Sequence, residues 1–455
     1  MPAAQWVCLA VLLAVASTIV VRCLSVGGGI LHLPFLATVA LMGFLGPQAV
    51  GVIRTEEAPW YAVCKFLLFS AACIVALSSG WATPPASDPA SAPASVAQQL
   101  RMFFWLGLCL EVVGLVGLWK LAGLVGGFRN LYLEAAGYSL EWRGAPVIYT
   151  FFAHYLTPGG ILVALAALRL RSLGMLTLAL PWFGADLAAV VLVARRTPLV
   201  ILCVVSVCLL YLTRRYLPPR WVLGLLGVVV LTAMFALPAY RRAGGVFSSA
   251  PPSGGGSSVR EALAAGGTEF RDGCYLIQVT EEERAFHYGV GFYNSLVRYF
   301  VPRRLVGDEM KERLLVDLPD AGHVGPRASE VPNRYGWRID PSTVPTGPAS
   351  VFQQFWYAGC LCFYVLARWL RRHWDGALRG DLRSQAVYAI SVTFAVAAVV
   401  NNIYAIYIPV FMFVVPLALV TQFSPWRRHG VTRLFRRRHM GLPHRFFPRE
   451  RRGAC

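Results

Sequence analysis

Apolar positions fall into long, nearly unbroken runs separated by short polar turns. The runs are Ala4–Val21, Ile30–Ile53, Trp60–Gly80, Met102–Gly126, Val147–Leu168, Gly174–Val193, Pro198–Leu212 and Trp221–Leu237. Two more, Ser350–Leu370 and Val387–Thr421, follow a long polar interval. A helix needs about 20 apolar residues to cross a bilayer, so each run predicts a transmembrane helix. Val387–Thr421 is too long for one crossing and carries Asn401 and Asn402 near its middle, which predicts two short spans turning at the Asn pair. The expected fold is an all-α integral membrane protein of about eleven spans, between about ten and about twelve by this length criterion.

The polar intervals set the domain organisation. Residues 1–239 form an N-terminal bundle of about eight spans, interrupted by a linker at 82–100. The Pro84–Ala97 stretch of that linker, PPASDPASAPASVA, has the composition of a flexible segment. Residues 240–349 form one large loop, 350–425 the C-terminal spans, and 426–455 a basic tail. The loop opens on a second flexible stretch, Ala250–Ser258. Beyond it, Phe286, Val290, Tyr293, Val297 and Phe300 recur at steps of four and three, the period of an amphipathic helix ended by Pro302. Such a helix either lies flat at the membrane interface or packs on the loop's own core, and the pattern alone leaves both open.

Composition excludes an ordinary soluble protein, with 56% of residues apolar and 14% charged. The net charge of +19 is unevenly placed. Tyr240–Ala349 holds 13 basic and 13 acidic residues, leaving 29 basic and 10 acidic residues elsewhere. Much of the excess lies in Trp426–Cys455 and Arg368–Arg383, beside spans, where Lys and Arg mark cytoplasmic segments. This distribution argues for topogenic charge and contact with anionic membrane lipids rather than nucleic acid. The large loop then lies outside, and Arg22, Arg169, Arg171, Arg214, Arg215 and Arg220 lie inside. The first run has no Lys or Arg before it, so it reads as a retained span with an external N-terminus. Arg195–Arg196 and Arg129/Arg143 come out external, against the rule. Of 11 cysteines only Cys274 lies in the large loop, so the loop has no internal disulfide, and no metal site is visible.

The external arginines are the first chemical candidates. A guanidinium holds phosphate oxygens through a two-pronged hydrogen-bonded fork, suited to a diphosphate leaving group. Arg195 and Arg196 stand in a turn between spans, while Arg303 and Arg304 follow Pro302 at the end of the loop helix. Headgroup anchoring and a solvated charge pair are the plainer readings of the two pairs. Candidates for a general base are His287, placed with Tyr288 in the loop helix beside Glu281-Glu282-Glu283, and Glu269 upstream. The acidic triplet itself reads more simply as compensation of a helix dipole at its start. Within the membrane, Glu111 and Asp186 stand out, because ionisable residues at that depth face a cavity or a partner. They favour a transporter, unless Ser, Tyr or Trp groups on neighbouring helices satisfy them. P-loop, Gly-x-Ser-x-Gly, His-Glu-x-x-His and Asp-x-Asp motifs are lacking, so a nucleotide-driven pump or metal-dependent cytosolic transferase has no support.

The run Glu269–Lys311, with Tyr288, Gly291, Tyr293, Pro302 and Arg303, resembles the external loop of the Wzy-type oligosaccharide repeat unit (O-antigen) polymerases. Gly347–Trp369 is similar to the polar-aromatic segment leading into the following span, and Ala194-Arg195-Arg196-Thr197 is similar to their Arg-Thr turn. These matches cover about a quarter of the chain. Leu305-Val306-Gly307-Asp308 departs from the pattern and leaves a glycan ligase of the same superfamily open. The resemblance implies metal-independent transfer of an undecaprenyl-diphosphate-linked glycan in a bacterial inner membrane, without a cofactor. It implies Arg195, Arg196, Arg303, Glu269 and His287 in catalysis and Arg304, Tyr288 and Tyr293 in substrate binding. Its implied partners are the lipid-linked oligosaccharide, membrane lipids and a chain-length regulator. A transporter or flippase of lipid-linked sugars remains the alternative from another class.

Overall fold

The computed structural model describes residues 2–82, 96–128, 130–131, 145–193, 196–219, 221–230, 232, 268–284, 286–301, 306–316, 346–406, 410–415 and 417. Among these residues every regular element is helical. The helices are α1 (Pro2–Leu24), α2 (Leu33–Thr55), α3 (Trp60–Ala82), α4 (Val96–Leu124), α5 (Ala145–Ala153), α6 (Leu156–Leu170), α7 (Leu180–Val193) and α8 (Arg196–Arg214). A shorter apolar helix, α9, covers Trp221–Val230. The large loop contributes α10 (Thr268–Glu282), α11 (Val290–Phe300) and α12 (Asp308–Leu314). Then come α13 (Gly347–Phe355), α14 (Cys360–Leu378) and α15 (Leu382–Val400). Seven helical stretches among the described residues are long and apolar enough to cross a membrane.

Local chemistry explains where the predicted spans break. Val147–Leu168 reads as one run, yet the helix is interrupted at His154–Tyr155 between α5 and α6. Pro158 is the cause: it has no N–H to return to the His154 carbonyl. Ser350–Leu370 also divides, with Trp356 at φ 55 and ψ −141 ending α13 before α14 begins. The last long run stops at Asn401, where α15 ends and a short 3-10 turn, Ile403–Ile406, follows.

Without a hydrophobic drive between helices inside lipid, close packing depends on small residues at the crossings. A β-carbon at Gly80 would collide with the Tyr364 carbonyl, so only glycine lets α3 lie against α14. On α4, Gly107, Gly114 and Gly117 meet Gly159, Leu156 and Ala153 in turn, which fixes α4 antiparallel to α5 and α6.

The bundle has two chemically different ends. At the basic end, His32 packs against Trp81 and Trp374, Tyr211 stacks on Trp374 at 5.7 Å, and Arg371 lies over Trp81. There Gln385 donates to the Leu212 and Ala377 carbonyls at 3.0 and 3.1 Å, and the Tyr388 hydroxyl donates to the Leu31 carbonyl at 2.6 Å. The loop end gathers the α2–α3 turn together with α10, α11 and α13.

Candidate functional site

At the loop end, α10 is polar in sequence yet buried in the bundle. Asp272, Gln278 and Thr280 are buried beside Phe270, Cys274, Leu276 and Ile277. Burial pushes the Cys274 thiol well above its usual range and raises the Tyr275 phenol. The helix is held by polar side chains of α2, α3 and the turn between them. Gln48 accepts from the Phe270 N–H at 2.9 Å, satisfying a first-turn donor, and donates to Glu269 at 3.2 Å. The Tyr275 hydroxyl donates to the Glu57 carbonyl at 2.9 Å, and Arg271 reaches the Glu57 carboxylate at 3.5 Å. Gln278 donates to the Tyr61 hydroxyl, which itself donates to Glu282 at 3.1 Å. Phe270 meets Phe66 edge-on at 5.0 Å.

Glu281 and Glu282 close α10 rather than opening a helix, which corrects the reading of the acidic triplet. Acids at a helix C-terminus oppose its dipole. Lys65 of α3 supplies the compensating charge through its ion pair with Glu281.

His287 and Tyr288 lie in the turn between α10 and α11, not in a helix. The turn is built on left-handed backbone, with Tyr288 at φ 45 and Gly289 at φ 84. It is pinned from α13. The His287 N–H donates to the Gln353 carbonyl at 3.0 Å, and the Gln354 amide nitrogen lies 3.3 Å from His287 Nδ1. The Gln354 side-chain oxygen also accepts from the Gly291 N–H at 3.1 Å. His287 is thereby 9% exposed, whereas Tyr288 is 76% exposed. Around them Phe286, Phe352, Trp356 and Tyr357 form a continuous set of ring contacts. The backbone of Trp356 lies outside the left-handed helical well, a strain of about 1–3 kcal/mol that the ring packing holds in place.

The amphipathic stripe forms a helix from Val290 onward, with Phe286 preceding it. This helix packs through Phe292 on Phe355 and through Asn294, which exchanges two hydrogen bonds with the Val316 backbone, leaving Tyr293 exposed.

The predicted site residues therefore divide. His287 and Tyr288 share one turn, and Tyr293 lies one helical turn beyond it. Glu269 stands at the opposite end of α10, whose 15 residues span about 22 Å, so it and His287 occupy separate places. Arg196 begins α8. Arg195, Arg303 and Arg304 lie outside the described residues. Sequence reasoning missed Gln48, Lys65, Gln353 and Gln354. Their signal was present: amides and a lysine inside or at the edge of apolar runs, where polar groups are rare. Asp186 accepts from the Trp182 indole at 2.7 Å, a partner four residues back in its own helix rather than on a neighbouring one. Glu111 is buried beside the start of α7, where the Trp182 backbone is placed as a hydrogen-bond donor to it. Among the described residues no group of three or more His, Cys, Asp or Glu side chains is placed to hold a metal ion. Comparison of the chain with family models, curated proteins and solved structures finds no match.

Proposed function

We propose that the chain is a multi-span glycosyltransferase of about eleven spans in a bacterial inner membrane, with residues 240–349 external. It polymerises oligosaccharide repeat units carried on undecaprenyl diphosphate. One observation carries the reading: a polar helix, α10, is buried with the His287 turn and α13 at one end of an otherwise apolar bundle. Buried amides and carboxyls are costly in such surroundings, and their use is to receive a polar reactant.

The acceptor sugar hydroxyl attacks the donor's anomeric carbon as the bond from that carbon to the diphosphate oxygen breaks. The hydroxyl proton passes to His287 Nδ1 as the Gln354 amide releases it, and the diphosphate leaves carrying the bonding electron pair. Arg195, Arg196, Arg303 and Arg304 neutralise the growing charge on the diphosphate. Exposed Tyr288 and Tyr293 offer faces to the sugar rings. Glu269, bonded to Gln48 and distant from His287, organises the far end of α10.

The test is purified protein in lipid nanodiscs given a lipid-linked repeat unit without nucleotide or added metal. Laddered products are expected, and His287→Ala should slow their formation by about a hundredfold or more. A single adduct on a different acceptor would make the chain a ligase. No product from the wild-type protein would overturn glycosyl transfer.

A further inference from the structure

The Gln354 carboxamide joins two elements of the loop end, and its two ends are not interchangeable. Its oxygen accepts from the Gly291 N–H at 3.1 Å, and its nitrogen lies 3.3 Å from His287 Nδ1. Gly291 belongs to the first turn of α11, where backbone N–H groups have no acceptor within the helix. The residue that precedes this helix, Gly289, has no side chain to cap them. Gln354 supplies the cap from another helix, and at 1% exposure it does so out of reach of water.

A backbone N–H can only donate, which fixes which way round the amide sits. The oxygen must face Gly291, and the NH2 group is left facing the imidazole. An amide NH2 can likewise only donate, so Nδ1 of His287 must present its lone pair there. In the neutral ring the proton then resides on Nε2. Turning the amide over would set NH2 against the Gly291 N–H, so the tautomer of His287 is tied to the capping of α11.

Both partners are held in place. The His287 N–H donates to the Gln353 carbonyl at 3.0 Å, and the His287 carbonyl accepts from the Val290 N–H at 2.8 Å. α13 is fixed in turn on α15, because Gly347 lies so close that a β-carbon there would collide with the Ala398 carbonyl.

We propose that Gln354 is a positioning residue for glycosyl transfer: it holds His287 as the Nε2–H tautomer, with the basic lone pair on Nδ1 turned towards α13. The catalytic consequence rests on the proposed function, whereas the tautomer rests on the hydrogen bonds alone. The amide N–H stands where the acceptor hydroxyl, also a donor, has to come to give up its proton. The O–H bond breaks as an Nδ1–H bond forms, its electron pair staying on the oxygen that joins the anomeric carbon. The ring then carries a proton on each nitrogen.

A glutamate at this position keeps the shape and reverses the chemistry. Its carboxylate still accepts from the Gly291 N–H, but towards the imidazole it can only accept, which draws a proton onto Nδ1. Full-length protein in lipid nanodiscs, carrying isotopically labelled histidine, should be read by solid-state nitrogen NMR, which separates protonated from unprotonated ring nitrogens. His287→Gln identifies the His287 signals by their loss. At about pH 8, above the ordinary range of imidazole and carboxyl groups, the wild type should show Nδ1 bare and Nε2 protonated. Gln354→Met, which removes the donor, should shift the Nδ1 signal. Gln354→Glu should show Nδ1 protonated, and its kcat for glycosyl transfer should fall by about tenfold or more with the acceptor KM little changed. A protonated Nδ1 in the wild type, or a bare Nδ1 in Gln354→Glu, would overturn the tautomer. A reversed tautomer with undiminished kcat would reduce Gln354 to a cap of α11 and overturn its part in the reaction. Wild-type protein that makes no product would overturn the proposed function, while the nitrogen signals report the tautomer in either case.

Discussion

Replacing Phe270 by alanine should undock α10 from the bundle. Phe270 is fully buried against Phe66 at 5.0 Å, and its N–H is already satisfied by Gln48, so truncation removes packing and leaves that hydrogen bond in place. Buried Phe→Ala substitutions cost about 3–5 kcal/mol. If about 3 kcal/mol falls on docking, the undocked population rises roughly a hundredfold at about 1.4 kcal/mol per factor of ten. Cys274 reports this directly, being fully buried in the same helix. With Cys274 as the sole cysteine, modification by a membrane-impermeant maleimide proceeds only through the undocked state. Its rate follows the opening equilibrium when reclosing is fast. Phe270→Ala should label about a hundredfold faster than the parent, and Gln48→Leu, which strips the Phe270 N–H of its acceptor, about tenfold faster. Wild-type Cys274 reacting like a free thiol, or Phe270→Ala labelling at the parental rate, would refute the buried placement of α10.

Gly80→Leu should abolish accumulation of folded protein, since its side chain would enter the Tyr364 carbonyl of α14; size-exclusion chromatography in detergent reads the loss. His373 packs on Trp369, and burial, reinforced by Arg383 and Arg372 against the opposing pull of Asp381, pushes its imidazole down to about 4. A histidine held neutral in the fold but protonated when unfolded contributes stability above its unfolded value, and this is lost as pH falls from about 6.5 towards 4. Discounted for partial exposure, the loss should be about 1–2 kcal/mol, and thermal unfolding across that range should show a decline that His373→Phe flattens. For orientation, a cysteine at Glu57 should react with an impermeant thiol reagent in intact cells, and one at Arg379 only after the membrane is opened. The reverse pattern would invert the proposed topology.

The helical fold was legible because spans are specified by composition and length alone, as the runs Ile30–Ile53 and Trp60–Gly80 illustrate. The breaks were less so. Pro158 carried a readable signal for the α5–α6 interruption, whereas the end of α13 at Trp356 depends on aromatic packing from α3 and the His287 turn. The direction of error around the acidic triplet is instructive. Glu281 and Glu282 suit a helix start in isolation, and only Lys65, 216 residues away from Glu281, makes a helix end tolerable. Periodicity likewise joined Phe286 to α11, because spacing registers a shared apolar side and not the left-handed backbone of Tyr288 and Gly289. His287 was identifiable by residue type. Its buried setting was not, since Gln353 and Gln354 reach it from beyond the large loop.

The two ends of the bundle close by different physics, and that difference decides which one opens more readily. The basic end is sealed by interlocking rings of His32, Trp81, Tyr211, Trp374 and Tyr388, with backbone carbonyls taken up by Gln385 and Tyr388. Opening there would expose large aromatic surfaces and orphan buried carbonyls together, each loss worth about 1–3 kcal/mol. At the loop end the Gln48 bond to the Phe270 N–H is buried, while the other polar contacts run from α10 to Glu57, Tyr61 and Lys65, groups that water can take over. The partly exposed ones contribute only about 0–1 kcal/mol each, so α10 is retained mainly by the Gln48 bond and by its apolar face on Phe66. A single helix therefore has to move to admit a polar reactant at the loop end, whereas five elements would have to separate at the other. The His287 turn follows α10 directly in the chain, so the segment that yields most easily is also the one that carries the proposed base.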